Sequence, residues 1–182
     1  MSAPIPPNEA ERLEALRSYG ILDTDPEEEF DAITRLAGYI CGTPIALITL
    51  VDATRQWFKS KVGVDITETP RDVAFCAHTI LQSELLVVPD ARKDPRFSEN
   101  PLVTSDPNIR FYAGMPLQNE NGFGLGTLCV VDKTPRKLAP AQIEGLEVLG
   151  QAVVTKLQLR RALLLLDDYR SHTNRLSATG NP

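Results

Sequence analysis

The chain has 182 residues, 42% of them hydrophobic and 24% charged, with a formal net charge of −5. That composition excludes a wholly disordered chain, a collagen-like repeat and a disulfide miniprotein, and the acidic balance excludes a general nucleic-acid footprint. No apolar run approaches the roughly 20 residues of a membrane span, and the Met-Ser-Ala-Pro-Ile-Pro-Pro start lacks a basic-then-apolar signal pattern. Cys41, Cys76 and Cys129 are odd in number, widely spaced and set in apolar runs. They read as buried reduced thiols, and a cytoplasmic chain is expected. Charge is uneven, with nine acidic and two basic side chains in residues 1–31 and two acidic and five basic in 151–182.

In chain order, residues 1–7 read as a flexible start. Asn8 opens a helix with Glu11 in the reciprocal capping position, and Gly20 closes it. Leu13 and Leu16 give it only a narrow apolar stripe. Asp25-Pro26-Glu27-Glu28 predicts a second start, with Asp25 as N-cap and Pro26 at the first helical position. Phe30, Ile33, Leu36, Ala37 and Ile40 then recur at helical spacing to about Cys41. The continuous apolar run Pro44–Val51 predicts a central strand, and Gln56–Val62 a more polar returning one. The stretch 68–71, punctuated by Pro70, leads into a short helix over 73–81, followed by a short strand at Leu85–Val88.

Residues 90–108 predict a long loop with Asp-Pro and Asn-Pro punctuation, in which Asp90, Arg92, Asp94 and Arg96 pair among themselves. A strand over 109–117, an Asn121-Gly122 hairpin turn and a strand over 124–131 follow. One long helix is expected from about Ala141 to Tyr169, with a polar, frayed tail from Ser171. The consecutive Leu163–Leu166 cover that helix on nearly all sides and call for a helix partner. The order of elements predicts an α+β fold with a five- or six-stranded, mainly antiparallel sheet and flanking helices.

Candidate chemistry is sparse. Cys76 and His78 are close in sequence, but positions i and i+2 of a helix do not face one another. The second histidine, His172, lies in the polar tail, so no metal site is expected. In Arg110-Phe111-Tyr112 strand alternation puts Arg110 and Tyr112 on one side, a pairing suited to an anion or planar heterocycle at a cleft. The bland alternative is an aromatic core with Arg110 paired to Asp90 or Asp94. One of Trp57 and Phe58 should face inward. Gly122, Gly124 and Gly126 sit in a hairpin with no helix N-terminus to hold a phosphate. No paired catalytic carboxylates or Ser-His-Asp order appears, so catalysis is not expected.

Phe30-Asp31-Ala32-Ile33-Thr34, Pro44–Asp52, Arg55–Ser60, Ala74–Ile80, Asp90-Ala91, Asp94–Phe97, Ile109–Gly114 and Gly126–Asp132, in that order, resemble the GAF domain family. The likeness is to modules found upstream of histidine kinase or cyclic-dinucleotide output domains in bacterial signalling proteins, and it assigns residues 8–161 to the domain. Residues 162–182 become a signalling-helix extension and disordered tail. The resemblance implies a small-molecule pocket on one sheet face, with Trp57, Phe75, Cys76, His78, Asp90, Arg110, Tyr112 and Cys129 as candidate ligand contacts. It further implies dimerisation through the N- and C-terminal helices and an output partner.

In phytochrome-like relatives a Cys directly followed by His anchors a bilin. Ala77 separates Cys76 from His78 here, so a bilin is not expected. Two other readings stay open: a dimerisation module without ligand, and a redox enzyme of the free methionine sulfoxide reductase type, although the three cysteines do not reproduce that enzyme's pattern.

Overall fold

The computed structural model describes residues 2–179. Six strands form one sheet: β1 (Ile45–Val51), β2 (Arg55–Val62), β3 (Glu68–Pro70), β4 (Leu86–Val88), β5 (Phe111–Gln118) and β6 (Gly124–Asp132). Their order is β3-β2-β1-β6-β5-β4, and every neighbouring pair is antiparallel. β1 and β6 hold the centre, which is why both are buried along their whole length and read as largely apolar runs. β3 is a strand that the sequence reading passed over. At three residues, with Pro70 on its outer edge, it carries too little pattern to show.

Each sheet face is covered. On one lie α1 (Glu9–Ser18), α2 (Glu28–Cys41) and α5 (Pro140–Thr179), which contribute Leu16, Phe30, Ala37, Leu146, Val153 and Leu157 to a core with Trp57 and Phe111. On the other lie α3 (Phe75–Thr79) and the 90–108 segment, whose short helix α4 covers Pro101–Thr104. Asp90 bonds Arg92 bidentately and Asp94 does the same with Arg96, so the expected self-pairing pins this long connection.

Three local expectations are corrected. Asn8 makes no side-chain cap, although α1 begins directly after it. The charged contacts of the first turn run instead through Glu9, whose carboxylate binds Arg12 and Arg71. α2 starts at Glu28, not beside Asp25, because the Asp25 carbonyl and the Thr24 hydroxyl are claimed by the buried ammonium of Lys59 at 2.6 and 2.8 Å. α5 runs to Thr179, past Tyr169, so the expected frayed tail is helical as far as it is described; residues 180–182 lie outside the described residues. Leu163–Leu166 are exposed along it.

Glu9 ties α1 to the turn at Arg71, and Arg12, 2% exposed, also donates to the Gly124 carbonyl. Burial alone would raise the Glu9 carboxyl, but the Arg12 and Arg71 hydrogen bonds outweigh it and hold it at about 2 against an ordinary 4.5. A depressed folded-state value means that the contribution is complete above pH 4.5 and drains away as pH falls toward 2. A shift of this size corresponds to about 3 kcal/mol. Glu9→Gln should therefore lower stability by about 2–3 kcal/mol at neutral pH and by much less near pH 2–3. Urea denaturation at the two pH values checks this, and an equal deficit at both would refute it.

Candidate functional site

Beneath α3 the sheet encloses a cavity of about 100 Å³ whose wall is almost wholly apolar. β1 supplies Ile45 and Leu47, β2 Phe58, α3 Phe75 and Cys76, β5 Tyr112, and β6 Cys129 and Val131. Strand alternation explains the set: Leu47 and Cys129 are paired across β1 and β6, as are Tyr112 and Val131 across β5 and β6, so one face collects all four. Ile66, 55% exposed, marks the rim.

The aromatic roof is specific. Phe75 stacks on Phe97 at 4.1 Å with rings 7° apart, and tilts against Tyr112 at 5.2 Å. Phe97 thereby fastens the 90–108 connection to α3, a role that the sequence reading did not give it.

Behind the apolar wall runs a buried polar chain. The Thr127 hydroxyl donates to Cys76 Sγ at 3.0 Å and the Tyr112 hydroxyl at 3.4 Å. Thr49 Oγ1 lies 3.0 Å from Thr127 Oγ1, and Thr79 Oγ1 lies 2.7 Å from the Tyr112 oxygen. Cys129 Sγ stands 3.8 Å from Cys76 Sγ. Burial pushes the Cys76 thiol up, but these donors, with Cys129 foremost, bring it down to about 7. Cys129 is driven the opposite way by its bond to Cys76, by burial and by the neighbouring charge.

Of the eight candidate residues, Phe75, Cys76, Tyr112 and Cys129 meet at the cavity. His78 is edge-on to Phe97 at 4.8 Å and is not part of the cavity lining. Three candidates lie elsewhere. Trp57 belongs to the helix-side core, because its parity on β2 is opposite to that of Phe58. Asp90 lines an open groove with Lys93 and Arg136 on the outer surface, and its carboxyl is held at about 2, first by the Arg92 hydrogen bond. Arg110 does not pair with Asp90 or Asp94. It donates to the Val103 carbonyl at 2.7 Å and the Ile109 carbonyl at 3.1 Å, fastening the end of the long connection.

Among the wall residues that the sequence reading did not single out, two are polar. Gln56 and Thr69 are paired across β2 and β3 and both line the cavity. The Gln56 Oε1 and Thr69 Oγ1 atoms are buried without a hydrogen-bond partner. The available signal was parity, since Gln56 shares the face of Phe58. Among the described residues no group of three or more His, Cys, Asp or Glu could hold a metal, and no helix is long and apolar enough to cross a membrane.

Comparison with known proteins agrees with this fold. A Pseudomonas aeruginosa protein named cyclic di-GMP phosphodiesterase is 40% identical over 174 residues, which is 95% of this chain and 30% of that protein. The chain therefore spans less than a third of that relative. The crystal structure of the GAF domain from Acinetobacter phosphoenolpyruvate-protein phosphotransferase matches with a TM-score of 0.61 at 16% identity, covering 84% of this chain and 96% of that one. Free methionine-R-sulfoxide reductase from Neisseria meningitidis, solved with its substrate, matches with a TM-score of 0.61 at 14% identity, covering 90% and 98%. At such identities the two structures share the fold alone. The GAF domain family model matches residues 25–172, which takes in the sheet, the cavity wall and most of α5. With four-fifths of its length inside that match, the chain belongs to the GAF domain family.

Proposed function

We propose that the chain is a non-catalytic regulatory module that senses a small molecule in the cavity under α3 and signals through helices α1, α2 and α5 of a homodimer. The observation that carries this is the pair of orphaned polar atoms, Gln56 Oε1 and Thr69 Oγ1, in an otherwise apolar wall. Each costs about 1–3 kcal/mol of unmet hydrogen bonding unless a bound molecule answers it. The ligand is accordingly small and mainly apolar, with a hydrogen-bond donor at one end. At about 100 Å³ the cavity is smaller than the 150 Å³ site known to hold benzene, so anything larger must displace the 90–108 connection. That displacement is the signal: ligand binding favours one placement of Phe97 over Phe75, and the sheet passes the bias to the helices behind it.

The helix face supports the dimer. Leu163, Leu164, Leu165 and Leu166 are 42–60% exposed on a helix that continues beyond the sheet. Such a run finds burial only against another helix. The output is a partner domain that acts on a cyclic dinucleotide, a reading supported by the name of the 40% identical relative, most of which lies outside the matched region.

Native mass spectrometry of the freshly purified protein tests both parts. A dimer retaining a small molecule is expected. Gln56→Leu should lose that molecule, and against the ligand-free parent it should gain about 1 kcal/mol in denaturant, because it deletes an unsatisfied acceptor. An empty dimer would overturn sensing and leave a dimerisation module. A monomer would overturn signalling through the helices.

A further inference from the structure

We propose that Cys76 and Cys129 form a peroxide-reactive dithiol in the cavity wall, which closes to a reversible disulfide between α3 and β6. The inference rests on the sulfur geometry and not on the cavity's being a sensing site. The two sulfurs are 3.8 Å apart, and both residues line the same cavity. A disulfide needs about 2.05 Å between sulfurs, so the pair must close by about 1.8 Å. Cys41, the third thiol, lies in the helix-side core across the sheet and can join neither.

Buried thiols are ordinarily inert because no thiolate forms and no oxidant arrives. Both conditions differ here. Two hydroxyls donate to Cys76 Sγ, from Thr127 and Tyr112, and each Thr or Tyr donor is backed by a second hydroxyl, Thr49 or Thr79. Donors fixed on a sulfur stabilise its anion, in accord with the lowered Cys76 value. By contrast, the raised Cys41 thiol, at about 11 through burial, has no such donors to offset its desolvation. The cavity, whose lining runs from exposed Ile66 to Cys76 and Cys129, has room for a molecule the size of hydrogen peroxide.

The chemistry balances with a peroxide as oxidant. The Cys76 thiolate attacks one peroxide oxygen; an S–O bond forms, the O–O bond breaks, and the departing hydroxide takes up the proton that the thiol released, giving water. The Cys129 sulfur then attacks Cys76 Sγ; the S–S bond forms, the S–O bond breaks, and a second water leaves with the Cys129 proton. Two thiols are oxidised by two electrons and one peroxide is reduced to two waters. An external dithiol reverses the bridge. Because α3 is drawn toward β6, the bridged form has a narrower cavity.

The test treats the folded full chain with hydrogen peroxide, quenches with an alkylating agent, and reads intact mass and a non-reducing peptide map. A loss of two hydrogens is expected, with the Cys76 and Cys129 peptides joined, Cys41 still free, and full reversal by dithiothreitol. Cys129→Ala should show no link and should carry Cys76 onward to the sulfinate, while Cys41→Ser should link as the parent does. Should Cys129→Ala fail to fold, Cys41→Ser and the parent still decide. The proposal is overturned by an unchanged mass under conditions that oxidise glutathione in the same tube. It is equally overturned by oxygen addition at Cys76 without a link in the parent, or by a link that contains Cys41.

Discussion

Replacing Gly126 by alanine is expected to abolish folding at ordinary temperatures. Gly126 sits at the middle of the sheet, opposite Leu50 of β1 and Leu117 of β5. A Cβ there would stand 1.9 Å from the Thr49 carbonyl oxygen and 2.8 Å from Leu50 Cα. Both neighbours are backbone atoms of the central strand, so no side-chain rotation relieves the overlap. The strands must separate where they are most completely buried, losing ladder hydrogen bonds that no water can replace. A cost of at least about 4–5 kcal/mol follows, comparable with the whole stability of many domains.

Gly122 provides the control. An added Cβ there meets nothing within 4 Å, and only the positive φ of 77° opposes it. Gly122→Ala should cost about 1–2 kcal/mol and leave the fold intact. Circular dichroism and denaturant midpoints of the two variants distinguish the cases. A Gly126→Ala protein melting beside the parent would refute the packing argument.

The second large effect is expected at Glu27, and it should exceed the effect of removing its partner. The Lys59 side chain is fully buried; its ammonium binds Glu27 at 2.6 Å along with Thr24 and Asp25, and lies 5.4 Å from the Phe30 ring centre. Glu27→Ala leaves that charge in the interior with two neutral acceptors. Breaking a buried pair in this way costs about 3–5 kcal/mol, and the partial exposure of Glu27 argues for the lower end.

Lys59→Met removes the charge while keeping the stem's volume, and Glu27 retains Arg160 of α5 at 2.9 Å. That variant should lose only about 1–2 kcal/mol. Urea denaturation of both variants checks the order. The reverse order would mean that the packing of the lysine stem, and not its charge, matters most. The same group joins β2, the entry to α2, and α5, so Glu27→Ala should also loosen the helix face proposed to carry the signal.

Much of the fold was legible because its strands are buried on both faces or alternate cleanly. β1 and β6 appear as largely apolar runs, and Asn121-Gly122 marks the hairpin between β5 and β6. The errors lie where a distant group outbids a local signal. Asp25 has the residue type and spacing of an N-cap, yet its carbonyl is taken by Lys59, 34 positions on, and the helix begins later. Arg110 and Asp90 carry opposite charges and lie at the two ends of one connection. Each found a nearer partner, Arg110 in backbone carbonyls and Asp90 in Arg92.

The site was half legible for the same reason. Phe75, Cys76, Tyr112 and Cys129 could be named from their residue types and their motif context. Trp57 was misplaced because a strand with a polar and an aromatic residue on each parity does not declare which face meets helices and which meets the cavity. Gln56 and Thr69 become a matched pair only through the β2–β3 register, and β3 is three residues long.

By itself the sequence determined the order of the elements, the antiparallel sheet, the long last helix and the family resemblance, all carried by local spacing and alternation. Tertiary structure alone decided that Cys76 and Cys129, 53 positions apart, bring their sulfurs to 3.8 Å, and that two polar atoms face an apolar cavity with no partner. Periodicity records which way a side chain points, whereas distance between elements is set by how the strands register and how the roof settles on the sheet.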